Sequence, residues 1–145
     1  MKKNKFLWLP LLLTFSMCQG GGEERSMNHM SDDIPKLERD AYAGNVEAYR
    51  DLRTMSLDYA PGTFLFSSLL MANKHGLPEA YLDVYYCIYN QCLAHGANSF
   101  YDVDPATQQV LLSYLKKAAK KGISEADTIL LEIKKGPPPP VGNDM

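Results

Sequence analysis

The stretch Asp104-Pro105-Ala106-Thr107-Gln108-Gln109-Val110-Leu111-Leu112-Ser113-Tyr114-Leu115-Lys116-Lys117-Ala118-Ala119-Lys120-Lys121-Gly122-Ile123-Ser124-Glu125-Ala126 decides the fold. An aspartate ahead of a proline is a helix start. Its carboxylate accepts from the free N–H groups of the first turn, and proline's fixed φ suits that turn. Leu111, Tyr114, Leu115 and Ala118 then recur at steps of three and four, the spacing of one helical face. Gly122 ends the run as a left-handed C-cap. Glu125 follows in the first turn of a second helix, where the helix dipole favours an anion. The stretch therefore predicts two antiparallel helices joined at a glycine corner.

The same grammar recurs twice upstream. Ala41-Tyr42-Ala43-Gly44-Asn45-Val46-Glu47-Ala48 and Ala72-Asn73-Lys74-His75-Gly76-Leu77-Pro78-Glu79-Ala80 align with Ala119-Lys120-Lys121-Gly122-Ile123-Ser124-Glu125-Ala126. Small alanines let two helices approach, and glycine turns the corner between them. The glycines stand 32 and 46 residues apart, a loose period. Helical stripes also run through Ala48, Leu52 and Met55; through Tyr81, Val84, Tyr85, Ile88 and Cys92; and through Ala126, Ile129, Leu130 and Ile133. No long alternating run suggests a strand. Six helices are expected, at 34–43, 45–57, 61–75, 78–95, 105–121 and 124–135. Gly96 and Gly136 supply further C-caps. The fold class is all-α, with about three antiparallel helix pairs.

Residues 104–130 resemble the SEL-one-like helical repeat, a relative of the tetratricopeptide repeat, in their paired alanine, glycine and further alanine. The resemblance continues, less closely, over 64–90 and 37–55. It implies a short α-solenoid whose concave face binds another protein, with the terminal pairs acting as caps. That family has no catalytic residues to carry over. This chain also lacks the regularly paired cysteines of its secreted, disulfide-bonded members.

Ahead of the repeats lies a leader. Lys2, Lys3 and Lys5 precede the apolar run Phe6–Phe15, which as a helix is about 15 Å long, half of what spans a bilayer. This is the pattern of a secretory signal rather than a membrane anchor. Cys18 follows directly, then Gln19-Gly20-Gly21-Gly22-Glu23-Glu24. The arrangement resembles a bacterial lipoprotein signal of the relaxed Bacteroidetes type, with Met17 and Phe15 where Gly, Ala or Ser and Leu are usual. That resemblance implies cleavage before Cys18, acylation of Cys18 with chains such as palmitate, and an outer-membrane location, periplasmic or surface-exposed. Several acyl chains anchor stably where one does not. The expected organisation is a signal peptide at 1–17, a flexible stem at 18–32 and a helical-repeat domain at 33–136. A disordered proline-rich tail at 137–145 completes it.

Charge and cysteine content narrow the function. The chain carries 15 basic and 17 acidic residues, and losing the three leader lysines leaves 12 against 17. That balance argues against nucleic-acid binding, which depends on neutralising phosphates, and favours a basic partner. Three cysteines cannot build a disulfide framework or a four-cysteine zinc site. Cys87 and Cys92, five apart on one helix, read as small buried apolar residues. His75 and His95 read as helix C-terminal residues meeting the last carbonyls, while His29 falls in the stem. Asp102-Val103-Asp104 lacks the glycine and distal glutamate of a calcium loop and reads as capping. Lys116, Lys117, Lys120 and Lys121 read as a solvated face complementing the dipole. No metal or cofactor is expected, and no nucleophile–base arrangement or phosphate loop can be assembled.

The tyrosines of the fourth helix are the strongest binding signal. Tyr81 and Tyr85 share its core stripe, while Tyr86 and Tyr89 point elsewhere, and aromatic residues are enriched at binding hot spots. Tyr86 and Tyr89 are the candidate partner-binding residues, with Asn73 on the preceding helix as a polar neighbour. The expected function is protein binding by a lipid-anchored envelope protein that is not an enzyme. A sharper form is an immunity protein neutralising an interbacterial toxin. The competing class is a periplasmic small-ligand binder or hydrolase.

Overall fold

The computed structural model describes residues 30–56 and 62–137. Every regular element among them is helical: α1 (Met30–Tyr42), α2 (Val46–Ser56), α3 (Leu65–Asn73), α4 (Pro78–Ala94), α5 (Pro105–Lys120) and α6 (Ser124–Lys135). The helices pack in chain order as α1 on α2, α3 on α4, α4 on α5 and α5 on α6, with α1 also touching α3. The all-α reading therefore holds, and the sequential packing suits a short stack of helix pairs. Cys18, His29, most of the stem and the tail beyond Pro137 lie outside the described residues, as does Leu57.

Local chemistry explains most boundaries. Asp104 caps α5 as expected, its Oδ1 accepting from the N–H groups of Ala106 at 3.1 Å and Thr107 at 3.0 Å. The Thr107 side chain first, and then these backbone bonds, hold the Asp104 carboxyl below its ordinary range. Asn45 does the same for α2, accepting from Glu47 and Ala48 at 3.0 and 3.2 Å, so it caps the helix rather than opening it. At the corner after α1, the N–H of Gly44 reaches Ala41 O and that of Asn45 reaches Asp40 O. The N–H groups of Gly122 and Ile123 repeat this on Ala119 and Ala118. Both are Schellman closures, which require the positive φ of +106° at Gly44 and +89° at Gly122.

Two further helix starts differ from expectation. The third helix was expected from 61 but begins at Leu65, because Gly62 has φ +91° and residues 62–64 form a turn. The first begins at Met30 rather than 34, with Pro35 inside it. The repeat alignment also shifts by one residue. Ala118, not Ala119, is fully buried alongside Ala41 and Ala72.

The core runs through the alanines of the pair corners (Ala41, Ala48, Ala72, Ala80, Ala118 and Ala126) and the larger residues between them. Leu111 and Leu115 of α5 are fully buried, and truncating either to alanine costs about 2–5 kcal/mol. Helix α4 lies between α3 and α5 and buries every residue from Ala80 to Tyr85, more than its expected stripe. At the far end, α6 buries only Ala126 and leaves Leu131 exposed, as a capping helix does. The long connection after α4 is also structural. Phe100 and Val103 are buried in it, and Gln108 Nε2 donates to their carbonyls at 3.1 and 2.8 Å.

Candidate functional site

Helix α4 presents a tyrosine ledge. Tyr85 is buried; Tyr89 stacks on it with ring centres 5.5 Å apart, and Tyr86 meets it edge-on at 5.3 Å. Tyr86 and Tyr89 are half-buried, so each leaves part of a ring at the surface. The Tyr86 hydroxyl donates to Glu125 Oε1 of α6 at 2.5 Å. Burial first, and then this carboxylate, push its phenol up to about 12. Burial likewise raises the Tyr85 and Tyr89 phenols.

Asn73 does not join this ledge through any hydrogen bond among the described residues. Its amide donates to Leu69 O at 2.9 Å and to the Tyr114 hydroxyl at 3.0 Å. Tyr114 belongs to a second cluster in which Lys117 Nζ lies 5.0 Å from the Tyr114 ring centre and 5.9 Å from that of Tyr81. Lys121 Nζ lies 5.6 Å from Tyr81. Two of the four lysines read as a solvated face therefore lean on aromatic rings, a cation–π arrangement. The structure separates the three candidates into Tyr86 and Tyr89 on one side and Asn73 on the other.

Cys87 and Cys92 are unpaired thiols, as expected, but half-buried rather than buried, and burial pushes the Cys87 thiol up. His75 Nε2 and Lys74 Nζ both reach Tyr42 O, at 3.1 and 3.2 Å, so they complete the end of α1 rather than of their own helix. Asp102 Oδ2 accepts from Asn98 N and Ser99 Oγ at 3.0 Å each, in keeping with capping. Among the described residues no three His, Cys, Asp or Glu side chains gather where they could hold a metal ion.

Sequence reasoning missed a buried polar junction. Asp83 of α4 is almost wholly buried, accepting from Tyr49 at 2.6 Å and pairing with Arg53 Nε at 2.9 Å, both on α2. Burial raises its carboxyl above the ordinary carboxylate range even though both partners pull the other way. One turn earlier, Arg50 reaches Glu79 through two bonds at 2.9 and 3.2 Å. The repeat glutamates Glu79 and Glu125 thus each contact the second helix of the preceding pair, through Arg50 and Tyr86. Helices α2, α4 and α6 are tied side chain to side chain along one face.

A cleft opens where the first pair meets the start of α3. It has a volume of about 230 Å³, with Ile34, Leu52, Met55 and Phe64 as apolar walls and Glu38 among its polar lining. No family model, curated protein or solved structure matches this chain.

Proposed function

We propose that this chain is a protein-binding helical module, held at a bacterial envelope by lipid on Cys18 and docking through the tyrosine ledge of α4. The ledge itself carries the reading. Tyr86 and Tyr89 offer partly exposed rings already fixed against Tyr85, so little side-chain entropy remains to be lost when a partner covers them. Glu125 beside Tyr86 adds a carboxylate for a basic partner. The stem gives reach from the membrane, and no helix of the described residues is long and apolar enough to cross one. An immunity protein against a toxin domain is the specific form we favour.

The test is crosslinking of the tagged full chain in its native cells. A dominant partner should be captured, with yield falling at least tenfold in Tyr89→Ala, while the exposed Lys134→Ala variant retains it. Undiminished capture by Tyr86→Ala and Tyr89→Ala removes the ledge as the site. A Cys18→Ser chain that stays in the membrane fraction removes the anchor.

A further inference from the structure

The cleft beside α1 is separate from the tyrosine ledge, and its chemistry points to a different occupant. Ile34 and Glu38 stand one turn apart on α1 and face Leu52 and Met55 of α2 and Phe64 ahead of α3. The walls are apolar, yet Glu38 is half-buried and makes no ion pair or hydrogen bond among the described residues. Elsewhere on this side the polar groups are engaged. Ser56 Oγ donates to Arg53 O at 2.7 Å, and Ser67 Oγ lies 3.4 Å from the Tyr42 hydroxyl. Among the described residues, the Glu38 carboxylate is thus the available charge of the cleft. One turn further along α1, Tyr42 meets the exposed ring of Phe66 edge-on at 5.4 Å, extending the apolar surface beyond Glu38.

From this geometry we infer that the cleft binds a small primary amine with a compact apolar body, the ammonium meeting Glu38 and the body lying among Ile34, Leu52, Met55 and Phe64. Size selects the occupant. At about 230 Å³ the cleft falls below the range of about 300–1,000 Å³ typical of drug-sized sites. Charge selects its head group. A partly desolvated carboxylate gains most from a cation with N–H donors, whereas an anion meets repulsion and a neutral hydroxyl forms the weaker bond. This site is independent of protein binding at the ledge and stands or falls without it.

Phenethylamine, 2-phenylethanol and phenylacetate are suitable probes, titrated into the full chain carrying ¹³C-methyl methionine. Phenethylamine should shift the Met55 methyl signal saturably while leaving that of the core residue Met71 unmoved. The alcohol should bind about tenfold more weakly, phenylacetate should not bind, and Glu38→Gln should bring the amine down to the level of the alcohol. Equal binding of amine and alcohol overturns the inference, as does a Met55 signal that no probe moves. Full amine affinity in Glu38→Gln does so too. The ligand comparison needs no variant, so it stands even if Glu38→Gln fails to fold.

Discussion

Tyr49 donates a 2.6 Å hydrogen bond to Asp83 across 34 residues of sequence, joining the interior of α2 to the interior of α4. A carboxylate taken out of water is costly unless its lone pairs are filled, and here Tyr49 takes one oxygen and Arg53 the other. Tyr49→Phe keeps the ring and its stacking on Phe64 but strips one donor from a buried charge. It should cost about 1.5–3 kcal/mol in urea unfolding, the range for hydrogen bonds to charged groups. A cost below about 0.5 kcal/mol would mean that Asp83 is hydrated or protonated in the folded chain.

The same carboxylate makes a prediction about pH. Its folded value lies above the ordinary 3.8, with burial as the leading cause. Between the unfolded and folded values the folded chain binds more protons than the unfolded one, so stability falls as pH rises through that window. The contribution is fully present below 3.8 and gone once pH exceeds the folded value. Asp83→Asn should remove this downward slope just above pH 3.8, leaving the curves of the two proteins parallel at neutral pH. Arg53→Met should widen the window upward, because Arg53 holds the value down. Identical pH profiles for wild type and Asp83→Asn would show that Asp83 titrates as an exposed carboxylate.

Tyr86 supplies an optical counterpart. Burial and Glu125 push its phenol up to about 12, so the phenolate absorbance lost in Tyr86→Phe should belong to a step near pH 12, ahead of the more strongly raised phenols of Tyr85 and Tyr49. Glu125→Gln should bring that step down, since the carboxylate both accepts the hydroxyl and repels a phenolate. Stability carried by the raised phenol should fall as pH rises from 10 through about 12. A step near pH 10, unmoved by Glu125→Gln, would mean that Tyr86 swings free of α6.

How much of this was legible in the sequence depended on the distance over which each residue acts. Asp104 and Pro105 fix a helix start among their immediate neighbours, and Gly44 and Gly122 close helices within six residues, so local spacing sufficed for them. Asp83 was illegible for the opposite reason. Its partners Tyr49 and Arg53 lie 30 or more residues away, and an aspartate between Leu82 and Val84 gives no local sign of being paired. The tyrosine ledge was half legible. Periodicity separated Tyr85 from Tyr86 and Tyr89, but whether Asn73 met them or Tyr114 depended on how α5 packs against α3 and α4. Phe100 and Val103 fall between the expected helices because a single 3-10 turn has no period to detect, yet the connection buries both.

The corner glycines offer a prediction in which two costs can be separated. Gly44 and Gly122 both have positive φ, yet a Cβ on Gly44 would lie 2.9 Å from His75 Nδ1, while one on Gly122 meets nothing within 4 Å. Gly122→Ala should therefore cost only the left-handed conformation, about 1–2 kcal/mol. Gly44→Ala should cost more, because the His75 ring is tied to Tyr42 O and turning it aside breaks that bond. In a His75→Ala background the excess should vanish and the two glycine substitutions should converge, a coupling that urea unfolding of the four variants measures directly. Equal costs in the wild-type background would instead show that His75 rotates away freely. The contact between the first two helix corners would then contribute nothing to holding α1 against α3.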